Sequence, residues 1–402
     1  MSTVDLRHQF PVLDTWRAVG ALAVLTTHTT FQTGTYLGNG IWGTLLARLD
    51  VGVAIFFVLS GFLLSRPWFA RAALGLPAPD RSRYFLKRFL RIYPVYLVTV
   101  VLALTVLEEN DGTSASTWVA NLLVADTYVH DQLPHALTHM WSLTVEVGFY
   151  LLLPLLMALC VGARRPTLHR LRTHLVLLSM VATAVLWHTV LVEQLDPRVG
   201  GAPGLWLPGY LGWFAAGIWL ALAHVDLQQG RSGLVLDQVA RLGALPGTCW
   251  VMVAGLMLVA ATPIAGPVMF VAGTPAQTLV KNLLYTAIGA LIVLSGVLAH
   301  PERGFSRFLA SRPLRHLGHI SYSMFCIHLF VLALVFELTA YDVFSGSGLQ
   351  VWTLTLLVTL VASELLYRFV EKPFMRLAVR RAPDTSSAAS AHPVERATTQ
   401  RS

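Results

Sequence analysis

Apolar windows long enough to cross a hydrocarbon core recur along most of the 402 residues, and that recurrence leaves few architectures open. A core of about 30 Å takes about 20 helical residues to cross, and a segment inside it must satisfy its own backbone polar groups. Ten helices are expected, at 12–32, 49–66, 92–107, 140–161, 173–192, 205–223, 247–263, 279–299, 317–338 and 350–370. The expected fold is therefore all-α, a polytopic membrane protein with no room for a large soluble domain. Composition agrees: 55% hydrophobic and 12% charged residues is far from the ordinary soluble mixture. The first window holds Arg17 near its start and His28 near its end and lacks a small-residue cleavage site. It is expected to stay as a span rather than to act as a signal peptide.

The loops alternate in charge. Segment 66–91 holds Arg66, Arg71, Arg81, Arg83, Lys87, Arg88 and Arg91, and further basic clusters lie at 164–172, 303–315 and from Arg368 onward. The intervening loops hold only Arg48, Arg198 and Lys281, while 108–138 is acidic. Of 29 Lys and Arg, 26 fall on one side and 3 on the other, which predicts both termini in the cytoplasm of a multi-pass inner-membrane protein. The expected organisation is a transmembrane domain over 1–381 and a disordered cytoplasmic tail over 382–402, where the sequence is small, polar and Pro-containing. The stretch RSRYFLKRFLR at 81–91 reads as an interfacial helix ended or kinked at Tyr93-Pro94, and 113–130 as an external amphipathic segment. Cys160, Cys249 and Cys326 lie far apart in apolar runs and read as packing residues. Arg exceeds Lys 26 to 3, which suits an anionic ligand or a membrane surface. Nucleic acid is not expected, because the basic residues sit in short loops without a recognition module.

An ionisable residue inside a span is costly and is a functional candidate by default. Arg17 and His28 share one face of the first helix, about 16 Å apart along its axis. The orientation places Arg17 near the inner surface and His28 in the outer half. Glu146, one to two turns below Trp141 in the fourth helix, falls at a depth similar to His28. A Glu bonded to one ring nitrogen would set the tautomer and raise the basicity of the other, as a base that deprotonates a hydroxyl requires. Snorkelling for Arg17, interhelical hydrogen bonding for His28 and a neutral packing carboxyl for Glu146 stay open at this point. Arg88 and Arg91, three apart, would form a phosphate clamp or a headgroup contact. Ser60 with Gly61 marks close helix packing first and an oxyanion donor second, with Tyr150 a further oxyanion candidate. His130, Asp131, His135 and His139 do not make a fixed metal-ligand pattern, and no metal is expected. His139 borders the site, and of His319 and His328, on opposite faces, His328 lies deeper.

Together these residues resemble the acyltransferase type 3 family of bacterial membrane O-acyltransferases. The resemblance is carried by LDTWRAVGALAVLTTH with Arg17 and His28, FFVLSGF with Ser60, the Arg88 and Arg91 pair, WSLTVEVGFY with Glu146, ISYSMFCIHLF with Ser321, Tyr322 and His328, and the terminal Glu371-Lys372-Pro373. It implies ten core helices, an acyl-CoA donor, catalytic roles for His28 and Glu146, and roles for Arg17, Arg88 and Arg91 in binding the donor. It also implies a stand-alone form without the secreted esterase-like domain found in some members.

The expected reaction moves an acyl group, acetyl in the first instance, from acyl-CoA to a hydroxyl of a carbohydrate, glycolipid or macrolide-type acceptor. No permanently bound cofactor is expected. The rival reading is a transporter or flippase that uses the intramembrane Arg, His and Glu residues for substrate or protons. The lack of a visible internal repeat counts against it.

Overall fold

A computed structural model describes residues 4–6, 8–163, 166–195, 199–268, 271, 273–298, 300 and 304–380. The tail expected over 382–402 lies outside the described residues, as do several basic loop residues of the charge tally. In chain order the helices are α1 (Pro11–Gln32), α2 (Gly40–Ala47), α3 (Gly52–Ala73), α4 (Arg81–Val106), α5 (Ala115–Leu122), α6 (Asp126–Val129), α7 (Trp141–Val161), α8 (Arg170–Leu186), α9 (Val192–Leu195), α10 (Leu207–Gln228) and α11 (Leu234–Gly243). They continue with α12 (Pro246–Ala260), α13 (Pro275–Val297), α14 (Gly304–Leu309), α15 (Arg312–Leu338), α16 (Gly348–Leu366) and α17 (Lys372–Arg380). Every regular element among the described residues is helical, as expected.

Eight helical segments are long and apolar enough to cross a membrane, and the bent pair α11–α12 makes nine if it counts as one span. The seventh expected helix accounts for part of the difference from ten. Its counterpart α12 has 15 residues, about 22 Å, and meets α11 at 95° instead of continuing straight. The first expected helix is present as α1, 22 residues long, but Asp14, Arg17, His28 and a run of threonines keep it outside that apolar set. Such a helix belongs inside a bundle, where its polar groups can find partners. Accordingly α1 packs against α3, α13, α15 and α16.

Close approach of backbones holds the centre. A Cβ at Gly217 would overlap the Val58 carbonyl, and one at Gly61 the Phe214 carbonyl, so α3 and α10 touch along a glycine seam. Gly61 of the small pair Ser60-Gly61 is thus used for packing, as the pair's composition suggested. A Cβ at Gly318 would likewise overlap the Asp14 carbonyl where α15 meets α1.

One local expectation is corrected. The basic stretch and the third span form one helix, α4, which runs through Pro94 without a break. Pro94 and its neighbours Val95 and Tyr96 are buried, and the Tyr322 hydroxyl donates to the Ile92 carbonyl at 2.7 Å, so tertiary contacts hold the turn that proline weakens. The segment 113–130 packs against α4. It folds back along α4, where the Tyr93 and Tyr96 hydroxyls donate to the carbonyls of Leu122 (3.1 Å) and Asn121 (2.5 Å). Tyr96 lies ten residues before the end of α4, about 15 Å along its axis. Asn110 closes the neck of this re-entrant turn by bonding both the N–H and the carbonyl of His135.

Candidate active site

One cavity gathers residues from five helices. Arg17 enters from α1, Ser60 from α3, Arg88 and Arg91 from α4, Glu146 and Tyr150 from α7, and Ser321, Tyr322 and Phe325 from α15. The spacing explains the convergence. Arg88 and Arg91 are one turn apart on α4, and Glu146 and Tyr150 one turn apart on α7, so each pair shares a face. Asp14, three residues before Arg17, accepts from its guanidinium at 3.1 Å and from Arg315 at 3.3 Å, which fixes Arg17 at the cavity wall. The Arg88 guanidinium lies 6.0 Å from the centre of the Tyr150 ring.

Three guanidinium groups and one carboxylate line the cavity, so its field favours a polyanion at the arginine end. Glu146 holds two hydroxyls through one oxygen. Its Oε1 accepts from the Ser60 hydroxyl at 2.6 Å and from the Tyr150 hydroxyl at 2.5 Å, tying α3 to α7.

The far end of the cavity is closed by Phe325, whose ring meets Phe56 edge-on at 5.8 Å. Beyond it lies a cluster of three imidazoles. His28 and His328 share a hydrogen bond of 3.0 Å between Nδ1 of the former and Nε2 of the latter. His139 stands 4.6 Å from His328 and 6.1 Å from His28, ring centre to ring centre. Phe325 contacts both His139 (5.2 Å) and His328 (5.9 Å), so its ring reaches from the arginine cavity, which it lines, to two of the three histidines. The same one-turn offset recurs on two helices: Ser142 and Phe325 line the cavity, while His139 and His328, three residues away on the far side, belong to the cluster.

The hydrogen bonds fix the tautomers. Nδ1 of His328 lies 2.7 Å from the Phe325 carbonyl, which can only accept, so Nδ1 carries the proton. With that ring neutral, Nε2 is an acceptor, and His28 must donate to it from Nδ1. His28 Nε2 is therefore a lone pair, on a ring that is half-buried rather than sealed. His139 donates from Nε2 to the Cys326 carbonyl at 3.1 Å, which leaves its Nδ1 as a buried lone pair with no partner.

All nine residues expected at the site thus fall into two adjoining groups. Arg17, Arg88, Arg91, Ser60, Glu146 and Tyr150 share the cavity, and His28, His139 and His328 form the cluster behind Phe325. The expected hydrogen bond between His28 and Glu146 is not formed. His28 Nδ1 is directed to His328, and the Glu146 bonds go to two hydroxyls on its own side of Phe325. His130 stays apart from His139 and pairs with Asp126 instead. Sequence reasoning missed Phe325 and Asp14 as site residues. Both were within reach, since each lies one turn from a residue already singled out, His328 and Arg17.

Comparison with known proteins bears on what this arrangement does. The profile of a family described as an acyltransferase domain matches residues 10–368. The chain is 28% identical to acyltransferase MdmB of Streptomyces mycarofaciens over 93% of its own length and 94% of that protein. It is 23% identical to O-acetyltransferase OatA of Staphylococcus aureus, covering 91% of this chain and 57% of that protein. It is 25% identical to peptidoglycan O-acetyltransferase OatA of Listeria monocytogenes, covering 92% and 56%. The chain thus spans little more than half the length of the two OatA proteins. With a match that runs from the start of α1 to the end of the last long helix, the chain belongs to the acyltransferase type 3 family and is a membrane enzyme that transfers acyl groups.

Proposed function

We propose that the enzyme takes an acyl group, acetyl in the first instance, from acyl-CoA and transfers it to a hydroxyl of a carbohydrate, glycolipid or macrolide-type acceptor. The observation that carries this reading is the arginine-lined cavity linked by one phenylalanine to a histidine cluster that holds an imidazole with a free Nε2. The phosphates of the donor bind Arg88 and Arg91, with Arg17 beside them, from the cytoplasmic side of the inner membrane. The acyl arm then extends toward Phe325, and a rotation of that ring admits the thioester to His28.

His28 Nε2 accepts the proton of the acceptor hydroxyl as its oxygen attacks the thioester carbonyl. The tetrahedral intermediate expels the thiolate of coenzyme A, which takes the proton from His28. His328 does the work first expected of Glu146: it holds His28 in the Nδ1–H form. His139 Nδ1, also a lone pair, gives the acceptor hydroxyl a second place to donate before transfer. Glu146 keeps the Ser60 and Tyr150 hydroxyls in place and offsets the arginine charge. The names O-acetyltransferase and peptidoglycan O-acetyltransferase of two relatives support acetyl as the group and a hydroxyl as its destination.

The test is radiolabelled acetyl-CoA with the purified protein in lipid nanodiscs. Slow thioester hydrolysis without an acceptor, abolished by His28→Ala in a protein that still inserts, is the expected result. Retained acyl transfer in His28→Ala would remove His28 from the mechanism. No turnover of acetyl-CoA above a protein-free control would remove the proposed donor.

A further inference from the structure

The re-entrant turn between α4 and α7 carries three residues that the reaction above does not use. Nδ1 of His130 lies 2.7 Å from Oδ1 of Asp126, and Nε2 of His130 lies 3.4 Å from Oγ of Ser116. We propose that Ser116, His130 and Asp126 form a second catalytic centre, a serine nucleophile with its base and orienting acid, that cleaves carboxylic esters with an apolar acyl chain.

The local fold makes the arrangement. The His130 N–H donates to the Asp126 carbonyl at 2.8 Å, closing the short helix α6 and setting the imidazole one turn above the carboxylate. Asp126 is buried and His130 is about one-quarter exposed, so the carboxylate is shielded while the ring reaches the surface. Because the Asp126 carboxylate accepts the hydrogen bond from Nδ1–H, a neutral ring presents the Nε2 lone pair to the Ser116 hydroxyl. The second Asp126 oxygen is buried and has no partner, so its negative charge is directed at His130 rather than shared with other donors.

Ser116 is exposed and is the second residue of α5. The Ser114 side chain caps the Thr117 N–H, whereas the amides of Ala115 and Ser116 have no acceptor within the helix by position. By position they are donors available to an oxyanion formed at a carbonyl attacked by Oγ. Val119 and Leu123 follow Ser116 at three and seven residues on the same helical face, and Val129 precedes His130. All three are largely solvent- or lipid-accessible, at 55%, 70% and 47%. That apolar strip beside a nucleophile is the reason for assigning an apolar acyl chain rather than acetyl.

In the step proposed, Ser116 Oγ bonds to the ester carbonyl carbon and gives its proton to His130 Nε2. The adduct expels the alcohol, which leaves with that proton, and the acyl group stays on Ser116. Water then adds to the acyl-serine by the same route and releases the acid. Ser116, His130 and Asp126 share no lining residue with the arginine cavity, so the two centres can be separated by substitution.

The experiment uses the full chain in detergent micelles, a fluorophosphonate probe with peptide mass spectrometry, and hydrolysis of p-nitrophenyl butyrate. A covalent adduct on Ser116 is expected in the wild type and equally in His28→Ala. Adduct formation should fall at least tenfold in His130→Ala and in Asp126→Asn, and butyrate hydrolysis at least tenfold in Ser116→Ala. Turnover of acetyl-CoA in Ser116→Ala, His130→Ala and Asp126→Asn shows that each is folded, and monodisperse elution in detergent shows it for His28→Ala; where His130→Ala loses turnover, His130→Gln takes its place. No adduct on Ser116, labelling as strong without the His130 imidazole as with it, or butyrate hydrolysis unchanged in Ser116→Ala would each overturn the assignment.

Discussion

Replacing His328 by Leu tests the central claim about the site, that His28 owes its tautomer to another histidine and not to Glu146. Leucine fills much of the same space but cannot accept the His28 Nδ1 proton across the 3.0 Å bond. One such bond contributes a net 0.5 to 1.5 kcal/mol, about, and about 1.36 kcal/mol is tenfold in rate. A preference of that size, about 2- to 13-fold between tautomers, keeps about 70 to 93% of the ring productive, and losing it lowers that fraction at most about twofold. An imidazole freed from its partner also swings, and a misplacement of about 1 Å can cost about 100-fold more. Turnover of labelled acetyl-CoA should accordingly fall more than twofold and by up to about 200-fold in His328→Leu. KM for the donor should hold, because Arg17, Arg88 and Arg91 lie on the other side of Phe325. His328→Gln, whose amide oxygen can accept, should recover part of the loss. Solid-state spectra of ¹⁵N-histidine in bilayers read the tautomer directly. Turnover in His328→Leu within twofold of wild type, or a proton on Nε2 of His28 in the unmodified protein, would refute the reasoning.

Other perturbations probe the remaining parts. Arg88→Ala and Arg91→Ala should each raise KM for acetyl-CoA about tenfold with a smaller change in kcat, and Lys should restore little, because a point charge does not reproduce a bidentate fork. Phe325→Ala should open the cavity to water at the histidine cluster and raise thioester hydrolysis relative to transfer to an acceptor, measured as the ratio of free acetate to acylated product. Gly217→Val should lower the melting temperature in detergent and the yield of monodisperse protein, since any Cβ there meets the Val58 carbonyl on α3. Arg48→Met should also lower the melting temperature. Arg48 is buried and donates to the carbonyls of Ala260, Ala265 and Gly266, each of which would lose a charged donor, and unmet buried groups cost about 1 to 3 kcal/mol apiece.

Helix positions were legible because apolar length and charge alternation are long-range signals that survive an error of a few residues. The polar first helix was legible for a different reason: Arg17 and His28 are conspicuous only against an apolar background. Pair geometry was not legible. His28 and Glu146 do lie in neighbouring parts of the site, but depth along a span leaves rotation about the helix axis and side-chain direction undetermined. Those two quantities put Phe325 between them and turned His28 toward α15. The re-entrant turn was hidden because its driving contacts, the Tyr93 and Tyr96 hydroxyls on carbonyls some 25 to 30 residues later, leave no periodic trace in the sequence. Proline at 94 pointed toward a break because local propensity was read without the burial that overrides it.

In the proposed reaction Phe325 lets donor arrival and base readiness be independent. Its side chain separates the two halves of the site, while its carbonyl accepts the His328 Nδ1 proton that begins the tautomer chain. Opening the passage by shifting the helix would disturb both. A change of χ1 moves the ring alone, because the carbonyl is fixed by the helical backbone of α15. In the proposed reaction the passage can therefore open while His328 still holds His28 in its basic form. The separation also explains why a bulky residue serves here. A smaller side chain would leave the His28 lone pair open to water that follows the thioester, and hydrolysis would compete with transfer.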